Sequence, residues 1–222
     1  MKHTKLLLIF FFILGSFTAF AQQKGSPFAS DIRRFKQIDF ANPPKTNSIL
    51  FYGSSSFTKW TDVQQYFPGY DIINRGFGGS CLTDLIMYAN EIVFPYQPRQ
   101  IFIYCGENDF AVNDTVSAGL VTNRFIKLFN LIRAKLPGVQ ISYISMKPSP
   151  SRWYLADKFV TSNQQISDFL ESQVNTSYIN IWDKMLNKNN LPDSALYVDD
   201  WLHMNAEGYK IWQKEINPRL IK

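Results

Sequence analysis

The sequence predicts an α/β fold: a parallel sheet of five strands with helices on both faces. Three observations carry this. Five short apolar runs (residues 49–52, 71–74, 101–105, 139–145 and 178–182) alternate with stretches of helical periodicity. A glycine or a polar residue follows nearly every run, so in a parallel sheet the turns gather along one edge, where open α/β folds bind ligands. The chain has 222 residues and is 45% hydrophobic, enough for one well-filled core, and it shows no internal repeat or low-complexity tract.

The N-terminus is a separate object. Lys2 and Lys5 precede an apolar run over 6–14, and Ala19-Phe-Ala21 follows. A basic start, a short apolar core and an A-x-A site read as a secretory signal peptide over residues 1–21, leaving one domain over 22–222 that is exported to the periplasm or secreted. The apolar run is short for a spanning helix, so no stable membrane insertion is expected after cleavage. Without residues 1–21 the chain keeps 21 basic and 18 acidic residues, a dispersed +3 that excludes a nucleic-acid binder.

The elements follow in order. Residues 30–40 place Ile32, Phe35 and Ile38 on one helical face, with Ser30 or Asp31 as N-cap, and Asn42-Pro-Pro44 ends the helix. The first strand, 49–52, stops at Gly53, three serines follow, and 57–66 reads as the start of a helix. The second strand, 71–74, runs into Gly76-Phe-Gly-Gly79 and a helix over 82–89; the third, 101–105, ends in Gly106-Glu-Asn-Asp109. A helix over 117–136 carries Leu120, Phe125, Leu128, Phe129 and Ile132, and Pro137-Gly138 closes it. Strand 139–145 leads into a Pro-rich loop, 147–153; a helix over 158–174 and strand 178–182 follow. The last loop holds Asp199, Asp200 and His203 before a helix over 206–216.

A hydroxyl delivered by a strand to the ligand-binding edge is a candidate nucleophile, and Ser55 stands there. Serine is a weak nucleophile that needs a base and dipoles for the oxyanion. The chain has two histidines, and His3 lies in the leader, so His203 is the one imidazole of the mature domain. Asp200 lies three residues before it, a spacing that lets a local turn join carboxylate and ring; Asp199 is the competing carboxylate. The oxyanion donors are the N–H groups of Ser55 and Gly79 and the side-chain amide of Asn108, glycine allowing close backbone approach and Asn supplying a neutral donor. Activity is then expected to rise through one ionisation in the histidine range, about 6 to 7.

Other readings are weaker. Glycines after a strand can cradle a pyrophosphate, but the third glycine of the dinucleotide fingerprint would fall at Cys81. Cys81 and Cys105 are either a disulfide, which an oxidising compartment permits, or two free thiols packed as small apolar residues. Two cysteines and so few histidines make no zinc site, and the serine chemistry needs no cofactor.

These blocks together resemble the SGNH hydrolases, also called GDSL-type esterases and lipases. Gly53-Ser-Ser-Ser56 matches the nucleophile block, Asn74-Arg-Gly-Phe-Gly-Gly79 the glycine block, Gly106-Glu-Asn-Asp109 the G-x-N-D block and Asp200-Trp-Leu-His203 the D-x-x-H block. The resemblance runs from about residue 49 to 212. It implies a flavodoxin-like three-layer α/β/α sandwich, attack by Ser55, an acyl-enzyme, and hydrolysis by a water that His203 activates. The G-D-S-L tetrad is here G-S-S-S: Ser54 replaces the Asp and Ser56 the Leu, which leaves Ser54 and Ser56 as rivals for the nucleophile. Export and loop aromatics point to short acyl or O-acetyl esters of glycans, with a lysophospholipase or thioesterase as the alternative and a non-catalytic glycan-binding module as the alternative of another class. Phe57, Trp60, Phe77, Phe110, Trp153, Tyr154 and Trp201 are the candidate aromatics for the substrate.

Overall fold

The computed structural model describes residues 26–222, so the signal peptide read over 1–21 lies outside the described residues. Five parallel strands form the sheet: β1 (Ile49–Gly53), β2 (Ile72–Gly76), β3 (Gln100–Tyr104), β4 (Gln140–Ile144) and β5 (Thr176–Ile179). Their order is β2-β1-β3-β4-β5. The strand order reverses between β1 and β3, and a crevice opens at the carboxyl ends of such a pair.

Strand side chains alternate between faces with period two, and both faces are covered. Leu50, Tyr52, Ile101, Ile103, Ile141 and Tyr143 pack under α1 (Ala29–Ala41), α4 (Leu82–Ile92), α6 (Ala118–Lys135) and α7 (Ala156–Glu171). Ile49, Phe51, Phe102, Tyr104 and Ile144 face the other way, against the short helices α2 (Ser55–Thr58) and α3 (Val63–Tyr66) and the C-terminal helix α8 (Ala206–Ile216). A last short helix, α5 (Glu107–Ala111), follows β3 directly.

Departures from the sequence reading have local causes. The helix read from 57 is split into α2 and α3, because the Asn74 side chain takes the carbonyls of Phe57 and Trp60. Ser30 and Asp31 lie inside α1, whose N-cap is Phe28 in a left-handed conformation. β5 ends at Ile179, before the predicted 180–182; beyond it the Ile181 N–H turns to the Ser145 hydroxyl at 3.0 Å. No helix among the described residues is long and apolar enough to cross a membrane.

Candidate active site

β1 and β3 deliver their turns to the crevice side by side. The Ser54 N–H donates to the Tyr104 carbonyl at 3.0 Å. Gly53 permits this closeness: a Cβ there would stand 2.2 Å from the Tyr104 oxygen. Ser55 then opens α2, and N–H groups in a helix's first turn have no intrahelical acceptor, so its amide is free to face a ligand.

The three serines differ in access. Ser54 and Ser56 are buried, at 4% and 2% exposure, while Ser55 is half-buried and lines the depression beside Asn108. The Ser54 hydroxyl accepts the Asn108 amide Nδ2 at 2.7 Å. It fills the place where the resemblance expects a carboxylate. Ser56 turns inward, and its carbonyl accepts the Tyr209 hydroxyl of α8 at 2.8 Å.

The glycine turn lies beside the serine. A Cβ on Gly78 would fall 3.7 Å from that of Ser55. Gly79 has φ +87 and nothing within 4 Å of its missing Cβ. The left-handed backbone demands this glycine, whereas the sequence reading invoked close approach. The turn is pinned from behind: the Ser80 carbonyl accepts Asn108 Nδ2 at 3.0 Å and the Cys105 thiol at 3.4 Å. Asp109 completes the link, its carboxylate accepting the Leu82 N–H at 2.9 Å and Arg124 at 2.7 Å. Asp84 takes the Cys81 N–H at 2.8 Å. Two carboxylates thus occupy the start of α4, where a pyrophosphate would have to sit, which counts against nucleotide binding. Both cysteines are free thiols; burial, with Asp109 and Asp84 behind it, pushes Cys81 up to about 12.

The histidine turn forms as its spacing predicts. Asp200 Oδ1 accepts the N–H groups of Leu202 (2.9 Å) and His203 (2.8 Å), and Oδ2 meets His203 Nδ1 at 2.5 Å. Partial burial alone would raise the Asp200 carboxyl; the hydrogen bonds from His203 and Leu202 outweigh it and hold it at about 2. Asp199 is exposed and makes no such bond. His203 Nε2 is buried without a partner among the described residues, an orphan that a reacting group can satisfy. Trp201, in the middle of the turn, has φ 55, a costly conformation for a bulky residue and one found where function over-determines the backbone. Asn205 caps α8 and ties the turn to Ala195 and Tyr197 through its amide.

Beneath Asn108 lies a charge cluster that the sequence reading did not identify. The buried Glu107 carboxylate receives Lys147 Nζ at 3.1 Å on both oxygens, Arg152 Nη1 at 3.2 Å, and the Tyr104 hydroxyl. Burial would raise the Glu107 carboxyl, but Lys147 and Arg152 outweigh it and hold it below its ordinary range. Lys147 is pushed down by burial, against the pull of Glu107. Arg152 Nη2 reaches past Glu107 to Asn108 Oδ1 at 2.8 Å. The available signal was two cations bracketing a proline-rich segment just after a strand.

The candidate aromatics divide. Phe57, Trp60, Phe77 and Phe110 are wholly buried and present no surface to a substrate; their bulk fills the core beside the crevice. Trp153 is half-buried, and Tyr154 and Trp201 are exposed. The depression lined by Ser54, Ser55, Gly106, Asn108 and Arg152 is shallow, with a volume of about 10 Å³. Larger recesses, such as one beside Ser167, Glu171 and Tyr178, contain none of these residues; the chemistry of the side chains, not the size of the recess, locates the site.

Residues 45–211 match the GDSL-like lipase/acylhydrolase family. Solved structures share the fold. A candidate acylhydrolase from Bacteroides fragilis superposes with a TM-score of 0.73 at 20% identity, over 84% of this chain and 94% of its own. A GDSL-like lipase from Bacteroides thetaiotaomicron gives 0.72 at 20% identity, over 85% and 96%. A family 3 carbohydrate esterase from Talaromyces cellulolyticus gives 0.61 at 16%, over 78% and 95%. No curated protein matches the sequence significantly.

Proposed function

Because the chain belongs to the GDSL-like lipase/acylhydrolase family, we propose that it hydrolyses carboxylic esters through an acyl-enzyme on Ser55. The observation that carries the assignment is access: of three consecutive serines, Ser54 and Ser56 are buried, while Ser55 is half-buried and lines the depression beside Asn108. His203 Nε2 takes the Ser55 proton as the hydroxyl attacks the ester carbonyl, and Asp200 on Nδ1 fixes the tautomer and steadies the imidazolium. The carbonyl oxygen becomes an oxyanion that draws on the N–H groups of Ser55 and Gly79 and on Asn108 Nδ2, which gives up its bond to Ser54. The imidazolium returns the proton to the leaving alcohol. A water, deprotonated by His203, then attacks the acyl-Ser55 carbonyl, and the imidazolium returns that proton to the Ser55 oxygen as the acid leaves.

The depression beside Ser55 holds only about 10 Å³, far below the ~300–1,000 Å³ of ordinary ligand pockets, which favours short acyl groups. The half-buried Trp153 and the exposed Tyr154 and Trp201 offer flat faces of the kind that stack on sugars. Together with the export that the N-terminal leader leads one to expect, these features support O-acetyl esters of glycans as the substrate. The test sets acetylated oligosaccharides against lysophospholipids, acyl thioesters and p-nitrophenyl esters of graded chain length, for wild type and Ser55→Ala. Preference for two-carbon acyl groups on sugars, abolished in Ser55→Ala, is expected. Preference for long acyl chains would overturn the substrate assignment, and full activity in Ser55→Ala would overturn the mechanism.

A further inference from the structure

We propose that Arg152 is a positioning residue for the reaction: it fixes and polarises the Asn108 amide so that Nδ2 serves the oxyanion. This rests on the reading that Asn108 is an oxyanion donor. Arg152 Nη2 donates to Asn108 Oδ1 at 2.8 Å, and a guanidinium can only donate. Oδ1 must therefore face Arg152, and Nδ2 must face Ser54 and the acceptor-only carbonyl of Ser80. Both ends of the amide thus agree on one orientation. A cation on the oxygen of an amide also draws electron density from its nitrogen, which makes the N–H groups stronger donors.

Arg152 is itself held. Its Nη1 donates to Glu107, which Lys147 and Tyr104 anchor from the buried side. Its backbone N–H donates to the Ser149 carbonyl at 3.1 Å, and the neighbouring Ser151 N–H donates to the Trp201 carbonyl at 3.0 Å. The Tyr197 hydroxyl donates to the Pro148 carbonyl. The proline-rich segment therefore bridges the histidine turn and the asparagine turn, and the Arg152 fork carries that bridge onto Asn108. Lysine could satisfy Glu107, but a point cation has no second arm for Oδ1.

The experiment is a double-mutant cycle on p-nitrophenyl acetate with Ser55→Ala as the reference for lost chemistry. Asn108→Ala should lower kcat about 10²–10³-fold, as loss of one oxyanion donor does. Arg152→Ala and Arg152→Lys should each lower kcat about 10–100-fold with KM within about threefold, because the effect lies in the transition state. Arg152→Lys should keep the wild-type melting temperature more nearly than Arg152→Ala, which separates positioning from folding. Added guanidinium ion should restore part of kcat to Arg152→Ala. The double variant Arg152→Ala/Asn108→Ala should be no slower than Asn108→Ala alone, since Arg152 acts through Asn108. Additive losses in the cycle, or full kcat in Arg152→Lys, would overturn the proposal while a dead Ser55→Ala left the serine mechanism standing. An active Ser55→Ala would instead remove the reading on which it rests.

Discussion

Replacing Glu107 with Gln tests the buried charge cluster under the site. The change is nearly isosteric, so no cavity forms, but it removes the carboxylate that pairs with both Lys147 and Arg152. The side chains of Glu107, Lys147 and Arg152 are 8%, 2% and 16% exposed, so water does little to screen the cations that remain. Breaking a buried pair from one side costs about 3–5 kcal/mol. For a domain of this size each kcal/mol moves the melting temperature about 2–4 °C, so a fall of about 6–20 °C is expected. Calorimetry and urea unfolding measure it. The deficit should shrink as pH rises, because Lys147, already pushed down by burial, sheds its charge once Glu107 no longer holds it. Glu107→Gln/Lys147→Met should regain much of the loss. A Glu107→Gln melting temperature within about 2 °C of wild type, or a double variant that loses the sum of the two singles, would mean that Glu107 does not offset the buried cations.

Two further substitutions test the geometry. Tyr209→Phe leaves the buried Ser56 carbonyl without its partner on α8; it should cost about 1–3 kcal/mol in urea unfolding and lower kcat as the tie between α8 and the serine turn is lost. Asp200→Asn should cut kcat as much as about 10⁴-fold with the fold intact, by freeing the ring and its tautomer. Its pH dependence has a sign. Asp200 and Glu107 have folded pKa values below their unfolded ones, so their stabilisation is full above the ordinary carboxyl range of about 4 and is lost as pH falls through the depressed values, about 2 for Asp200. An acid melting series on wild type and Asp200→Asn should show the Asn variant losing less stability as pH is lowered toward 2, by an amount kept small because the Asp200 side chain is 45% exposed.

Much of this architecture was legible in the chain. Strand β1 could be read because four apolar residues stop at a glycine, and α6 because Leu128, Phe129 and Ile132 recur at helical spacing before Pro137. The Asp200–His203 turn was legible because it is local: three residues, closed by bonds to adjacent amides. What escaped was long-range. The Arg152–Asn108 contact joins residues 44 apart, and the side chain that meets an asparagine across a sheet edge leaves no period in a sequence. Phe77, inside the glycine block, and Phe110, just after the asparagine block, stood among the candidate substrate aromatics, yet both turn inward, since aromatic character alone does not tell a pocket wall from the core. The end of β5 was misplaced for a related reason: residues 178–182 are apolar enough to extend the strand, but the Ser145 hydroxyl captures the Ile181 N–H.

The proposed mechanism requires that Ser55, and neither of its neighbours, becomes acylated. Labelling the wild-type protein and the Ser54→Ala, Ser55→Ala and Ser56→Ala variants with a fluorophosphonate, then mapping the adduct by peptide mass spectrometry, addresses it directly. One adduct on Ser55, retained in Ser54→Ala and Ser56→Ala and absent from Ser55→Ala, is the predicted result. An adduct on Ser54 or Ser56, or no adduct on the folded wild-type protein, would contradict it.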